Sequence, residues 1–381
     1  MGEDVDIRDR KSLEACLKDQ PREVAVWIAA RAAARVLPVW WQAVLTEDWA
    51  LDRDLTALPE LRALLISVVC VEKPTVDMKA AATAAAPLPA VADFSTYFDE
   101  TTLTAEAISK ANSAVVADLD PIDAAADAAT TGTAFAHATN VWEAVQADAN
   151  AVQDGTSPDA LSLWPKGRGP LEEEWQTIVW QVINSEDAED WQFWTYWYDA
   201  LLDGRPMLGD VGRTGEMLEQ IALIDPAIWD KGPEAVNPVI REIWELHRLR
   251  AEVAALQAEK AAFLVARASE VQRHHNQPPD GLVDDAPEVA RQITLIWDGL
   301  DEAREELERD APDKGVLRVI AERMLAALNA VVAYCGKVGD AVVMSAAKVG
   351  GGAVGTAVLD QVANNGRLMQ FAKDLLAYGG G

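Results

Sequence analysis

The sequence predicts an all-α protein, and three observations carry that prediction. No segment sustains the period-two alternation of a strand, and no Asn-Gly or Asp-Gly turn joins two β-branched runs. Apolar residues recur instead at three- and four-residue spacing over stretches too long for strands. Half of the 381 residues (50%) are hydrophobic, enough for a sizeable core. The expected architecture is a helical bundle with a long antiparallel helical hairpin and an apolar helical C-terminal tail.

Residues 21–49 place Val24, Trp27, Ile28 and Ala32 on one helical side, with Pro38 expected to break or kink the run into a helix pair. Residues 58–74, LPELRALLISVVCVEKP, are long enough for a buried helix, and Pro59 suits its first turn. Residues 78–152 are rich in alanine, which favours helix but buries little area per residue. They are expected to form thin helices packed closely or a mobile insertion. Residues 154–170 gather Gly, Pro, Ser and Asp and read as a linker.

The character then changes. Residues 171–206 carry Trp175, Trp180, Trp191, Trp194 and Trp197 in two helical segments, the second closed by Gly204 and Pro206. Trp191, Trp194, Tyr198 and Leu201 share one face while Phe193 and Trp197 point elsewhere, so this helix is expected to be contacted from two sides. Core packing is the expected role of these rings, with an aromatic cage for a cation as the alternative.

Leu246, Leu249, Val253, Leu256 and Phe263 follow a three-four alternation interrupted by Lys260, and Val289, Ile293, Ile296, Leu300, Ala303 and Leu307 repeat it. Joined by a Pro-rich loop, the two runs predict an antiparallel hairpin. Leu317, Ile320, Met324, Leu328, Val331, Cys335 and Val338 then form one apolar stripe. The resulting organisation is a helical region with an Ala-rich insertion (1–153), a linker (154–170), a Trp-rich centre (171–237), the hairpin (238–310) and the tail (311–381).

A net charge of −29 repels nucleic-acid phosphates and anionic membrane surfaces, so nonspecific binding of either across the whole surface is not expected. The tail differs, with seven basic residues against five acidic ones. Residues 1–19 are charged and lack the apolar core of a secretory signal, so a cytoplasmic location is expected. Cys16, Cys70 and Cys335 lie far apart, as expected of reduced thiols, and His137, His247, His274 and His275 form no HExxH pair. No GxSxG elbow is present either.

Gly350, Gly352 and Gly355 spell GxGxxG, but residues 356–381 are too few to complete a dinucleotide-binding unit, and no cofactor or metal is expected. Residues 341–359 carry one charge, Lys348, and place Gly351 and Gly355 in GxxxG spacing. Helix-on-helix packing through small residues is the expected role of this stretch. Membrane insertion is the alternative, opposed by about 2.5 to 3.5 kcal/mol for a central lysine.

Asp190, Trp191, Trp194, Trp197 and Tyr198, then Trp229, Gly232, Pro233, Val236 and Asn237, then the linker His275, Asn276, Gln277, Pro278 and Pro279 appear in a fixed order. This middle third resembles a family of uncharacterised bacterial helical proteins with a DWxxWxxWY helix, a WxxGPxxVN turn and an HNQPP linker. The resemblance implies no catalytic residue. It implies a partner or effector role in bacterial stress or phage-defence settings.

The function expected from all this is a helical protein-protein interaction or oligomerisation module, with a protein partner or a second copy bound and no nucleic acid. Candidate interaction or membrane residues are Lys348, Gly351, Gly355, Trp191, Trp194 and Trp197. One alternative is a membrane-acting effector recruited to the inner membrane through its apolar tail. A second is an enzyme whose site is not contiguous in sequence.

Overall fold

The computed structural model describes residues 6–85, 100–116, 120–132, 139–154, 161–271, 286–338 and 366–380. Among them are sixteen helices and no strand, so the all-α expectation holds. The chain divides into two units, Met1–Trp244 and Glu245–Gly381. The boundary falls inside a helix, where composition gives no signal.

In the first unit α1 (Arg10–Leu17), α2 (Arg22–Thr46), α3 (Asp48–Leu51), α4 (Leu58–Glu72) and α5 (Val76–Ala84) are followed by α6 (Glu100–Val115), α7 (Pro121–Gly132) and α8 (Thr139–Gln153). The Trp-rich segment forms α9 (Glu172–Ile183) and α10 (Ala188–Asp203), and α11 (Val211–Ala222) and α12 (Pro226–Trp229) lead into α13 (Pro233–Val271).

Helix α2 is the centre of this unit. It is apolar around nearly its whole circumference and packs against α3, α4, α6, α7, α8 and α9, as a helix without a polar stripe must. Contrary to the expected break, it runs unbroken through Pro38. Pro38 has no N–H to give to the Ala34 carbonyl, and the Tyr198 hydroxyl donates to that carbonyl at 2.9 Å instead. The missing backbone bond is replaced from another helix.

The described alanine-rich helices are part of the core. Ala105, Ala111 and Ala114 of α6 and Ala125, Ala126 and Ala128 of α7 are buried, and both helices pack against α2. A methyl group adds little burial on its own, but it lets backbones approach closely, so dispersion contacts accumulate along each helix.

Ends are fixed locally. Asp9 and Ser12 form a capping box on α1, Asp210 accepts from the Arg213 N–H at 2.8 Å at the start of α11, and Pro59 sits in the first turn of α4. Gly204 ends α10 at φ +62°, a left-handed position where a side chain would also strike the backbone of Leu161 and Ser162.

The second unit takes the C-terminal part of α13, then α14 (Ala286–Leu307), α15 (Lys314–Val338) and α16 (Arg367–Gly380). Helices α13 and α14 run antiparallel, as the hairpin reading requires. Arg250 donates to the Leu307 carbonyl at 2.7 Å, whereas Gln257 and Lys260 reach Asp301 at 3.1 and 3.2 Å. Lys260, which interrupts the apolar stripe, also lies over the Trp297 ring at 5.1 Å. Leu249, Val253, Ile296, Leu300, Leu317, Met324 and Phe371 form the core of this unit. Helix α15 approaches α14 at Gly299, where a β-carbon would lie 2.5 Å from Met324 Cγ.

Candidate functional site

Two surface features of the first unit stand out: a cleft and an exposed tryptophan. The cleft, about 860 Å³ including its mouth, opens between α2, α4, α10 and α11 and is closed on one side by the turn after Gly204. Trp27 of α2, Val68 and Val71 of α4, Trp197 and Leu201 of α10, and Met207 supply apolar walls. The small residues Ala30, Ala200 and Gly215 leave the space between them.

A buried ion cluster holds one wall of the cleft. Arg31 and Arg35, one turn apart on α2, both reach Asp148 of α8, at 2.9 and 2.6 Å. Arg31 also donates to the carbonyls of Leu161 and Ser162 at 3.1 and 2.6 Å, and Arg35 to that of Leu163 at 2.9 Å. The described end of the expected linker is therefore fastened to the core, because two forked guanidinium groups take three successive backbone carbonyls. Burial pulls Arg31 below the usual guanidinium range, and the Asp148 charge opposes that shift.

Other charged groups at the cleft have partners as well. Lys73 pairs with Glu219; Arg205 lies over the Tyr196 ring at 4.8 Å and donates to its hydroxyl at 3.2 Å. The Thr214 hydroxyl accepts the Leu208 N–H at 3.1 Å.

The candidate tryptophans from the sequence have definite places. Trp194 is fully buried and donates to Asn237 Oδ1 at 3.0 Å, while Phe193 and Trp197 meet it edge-on at 5.1 and 5.8 Å. These rings enclose one another and leave no cage for a cation. The Arg62 guanidinium, 4.9 Å above Trp229, is an internal cation of the same cluster. Trp197 is buried and contributes to the cleft; Trp191 is half-buried, 6.0 Å from Trp41. Neither Trp194 nor Trp197 can act as a surface contact, which corrects their candidacy as interaction residues. Asn237, from the WxxGPxxVN turn, supplies the acceptor that a buried indole N–H needs. Lys348, Gly351 and Gly355 lie outside the described residues.

The residue that sequence reasoning missed is Trp180. It is 67% exposed, and Ile183, one turn later on α9, is 64% exposed. The other thirteen tryptophans are all buried or half-buried. The signal was present in the spacing. Trp175, Ile178 and Val182 form the buried stripe of α9, and Trp180, five residues after Trp175, falls about 140° around the helix from it.

Among the described residues no group of three metal-ligating side chains exists. Cys70 is buried and its thiol is pushed up to about 11, the behaviour of a packing residue and not of a nucleophile. Among those residues, Arg22–Thr46 is the helix long and apolar enough to cross a membrane, and 89% of its apolar window is buried inside the protein. No family model matches the sequence, and no curated protein or solved structure matches it.

Proposed function

We propose that the protein is a protein-interaction module whose docking surface is the outer face of α9, centred on Trp180, and that its partner carries an apolar pocket with a basic rim. The observation that supports this reading is the exposure of Trp180 in a chain that places its thirteen other tryptophans in or against the core. An indole in water forgoes a large burial gain, and tryptophan is among the residues most enriched at binding hot spots.

The surroundings favour a cationic partner. Glu172 and Glu173 are exposed in the first turn of α9, and Glu186 and Asp187 are exposed just past its end. The net charge of −29 opposes the approach of a second copy and steers a basic surface in.

The test uses a defined probe, an amphipathic helical peptide of leucine and lysine, titrated by calorimetry. Trp180→Ala leaves every charge in place, so purely electrostatic attraction would survive it. The expected result is a loss of about 2 kcal/mol, roughly thirtyfold in Kd. Equal affinity of parent and variant would remove Trp180 from the function. A dimer of the parent that Trp180→Ala dissociates would replace the basic partner with a second copy.

A further inference from the structure

We propose that the cleft between α2, α4, α10 and α11 is a binding site for a small, uncharged, apolar molecule, of the class of a medium-chain alcohol or an alkylbenzene. The first argument is that the cleft is built. Its Arg31 wall is pinned by three hydrogen bonds, to Asp148, Leu161 and Ser162. At Gly204 a β-carbon would lie 2.2 Å from the Ser162 nitrogen, so the turn is seated against that strap of chain. The α2 side of the cleft and the turn after Gly204 are therefore held in place. The space of about 860 Å³ includes the open mouth, so a ligand would lie along the apolar wall with one end toward solvent.

The second argument concerns the polar groups around it. Arg31, Lys73, Arg205 and Glu72 are the charged residues of the lining. Arg31 is held by Asp148, Lys73 by Glu219, Arg205 by Asp203 and the Tyr196 hydroxyl, and Glu72 has a partner of its own. An anionic ligand would have to displace a carboxylate already in place, and a cationic one would have to displace an arginine or lysine already paired with its carboxylate. What remains for a ligand is the apolar surface of Val68, Val71, Leu201 and Met207, with the Trp27 and Trp197 rings close behind it. Burial of apolar area alone then drives binding, with no charge to select an ionised headgroup.

The experiment compares 1-octanol, octanoate and octylammonium as ligands of the full chain, read by thermal melting. Octanol is expected to raise the midpoint by roughly 5–10 °C at about 100 times its Kd, with the two ions at least about tenfold weaker. The filled-cleft variant is Gly215→Leu. A β-carbon there stands 3.4 Å from Glu72 Oε2, an ordinary contact, and leucine has the better helix propensity. It should melt at or above the parent and lose the octanol response. Independently of any variant, a brominated octanol should quench part of the parent's tryptophan emission saturably, through Trp27 and Trp197. Octanoate binding as tightly as octanol, no shift or quenching at saturation, or an undiminished octanol response in Gly215→Leu would each overturn the proposal.

Discussion

Glu60 is a carboxyl group placed where water does not reach. It is 5% exposed, one of its oxygens has no hydrogen-bond partner, and burial pushes its pKa up to about 8. The folded protein therefore holds a proton at neutral pH that the unfolded chain, titrating near 4.5, has released. Stability from this group is complete below about pH 4.5 and is lost as pH rises through about 8. Glu60→Gln should remove that dependence: relative to the parent, the variant should gain stability between pH 5 and pH 9, by chemical denaturation, by on the order of a few kcal/mol. An unchanged difference between the two proteins across that range would place Glu60 in water. Nothing in the sequence marked Glu60, since its position in LPELRALL suits a solvated first turn equally well. Trp194 is legible as core, whereas Trp180 stands out only against the buried stripe of Trp175, Ile178 and Val182 on its own helix.

At the scale of elements, local chemistry is legible in sequence and distant partners are not. The ends of α10 and α4 carry their own chemistry in Gly204 and Pro59, and the stripes of α14 and α15 follow from spacing alone. The break expected in α2 failed because its remedy lies 164 residues away in sequence, in the Tyr198 hydroxyl. The hold on residues 161–163, inside the expected linker, is equally non-local, since Arg31 and Arg35 act on carbonyls 128 to 131 residues distant. A double-mutant cycle tests the α2 explanation. Tyr198→Phe should cost about 1–3 kcal/mol by leaving the Ala34 carbonyl unpaired. In a Pro38→Ala background the new N–H can take that carbonyl, and the same change should cost at least about 1 kcal/mol less. Additive costs would show that Tyr198 does not stand in for the missing bond.

On the scale of the whole molecule, fold class followed from the absence of strand patterning, while the division into two units did not, because α13 crosses the boundary with an uninterrupted helical pattern. The separation of core tryptophans from the exposed one is the central claim. Thermal melting of the parent, Trp180→Ala and Trp194→Ala, each with and without the leucine-lysine peptide, tests it directly. Trp194→Ala should melt far below the parent, having lost about 3–5 kcal/mol. Trp180→Ala should melt within about 0.5 kcal/mol of the parent and show no rise on adding peptide, while the parent does. A Trp180→Ala protein as destabilised as Trp194→Ala, or one that the peptide still stabilises as it does the parent, would contradict the claim.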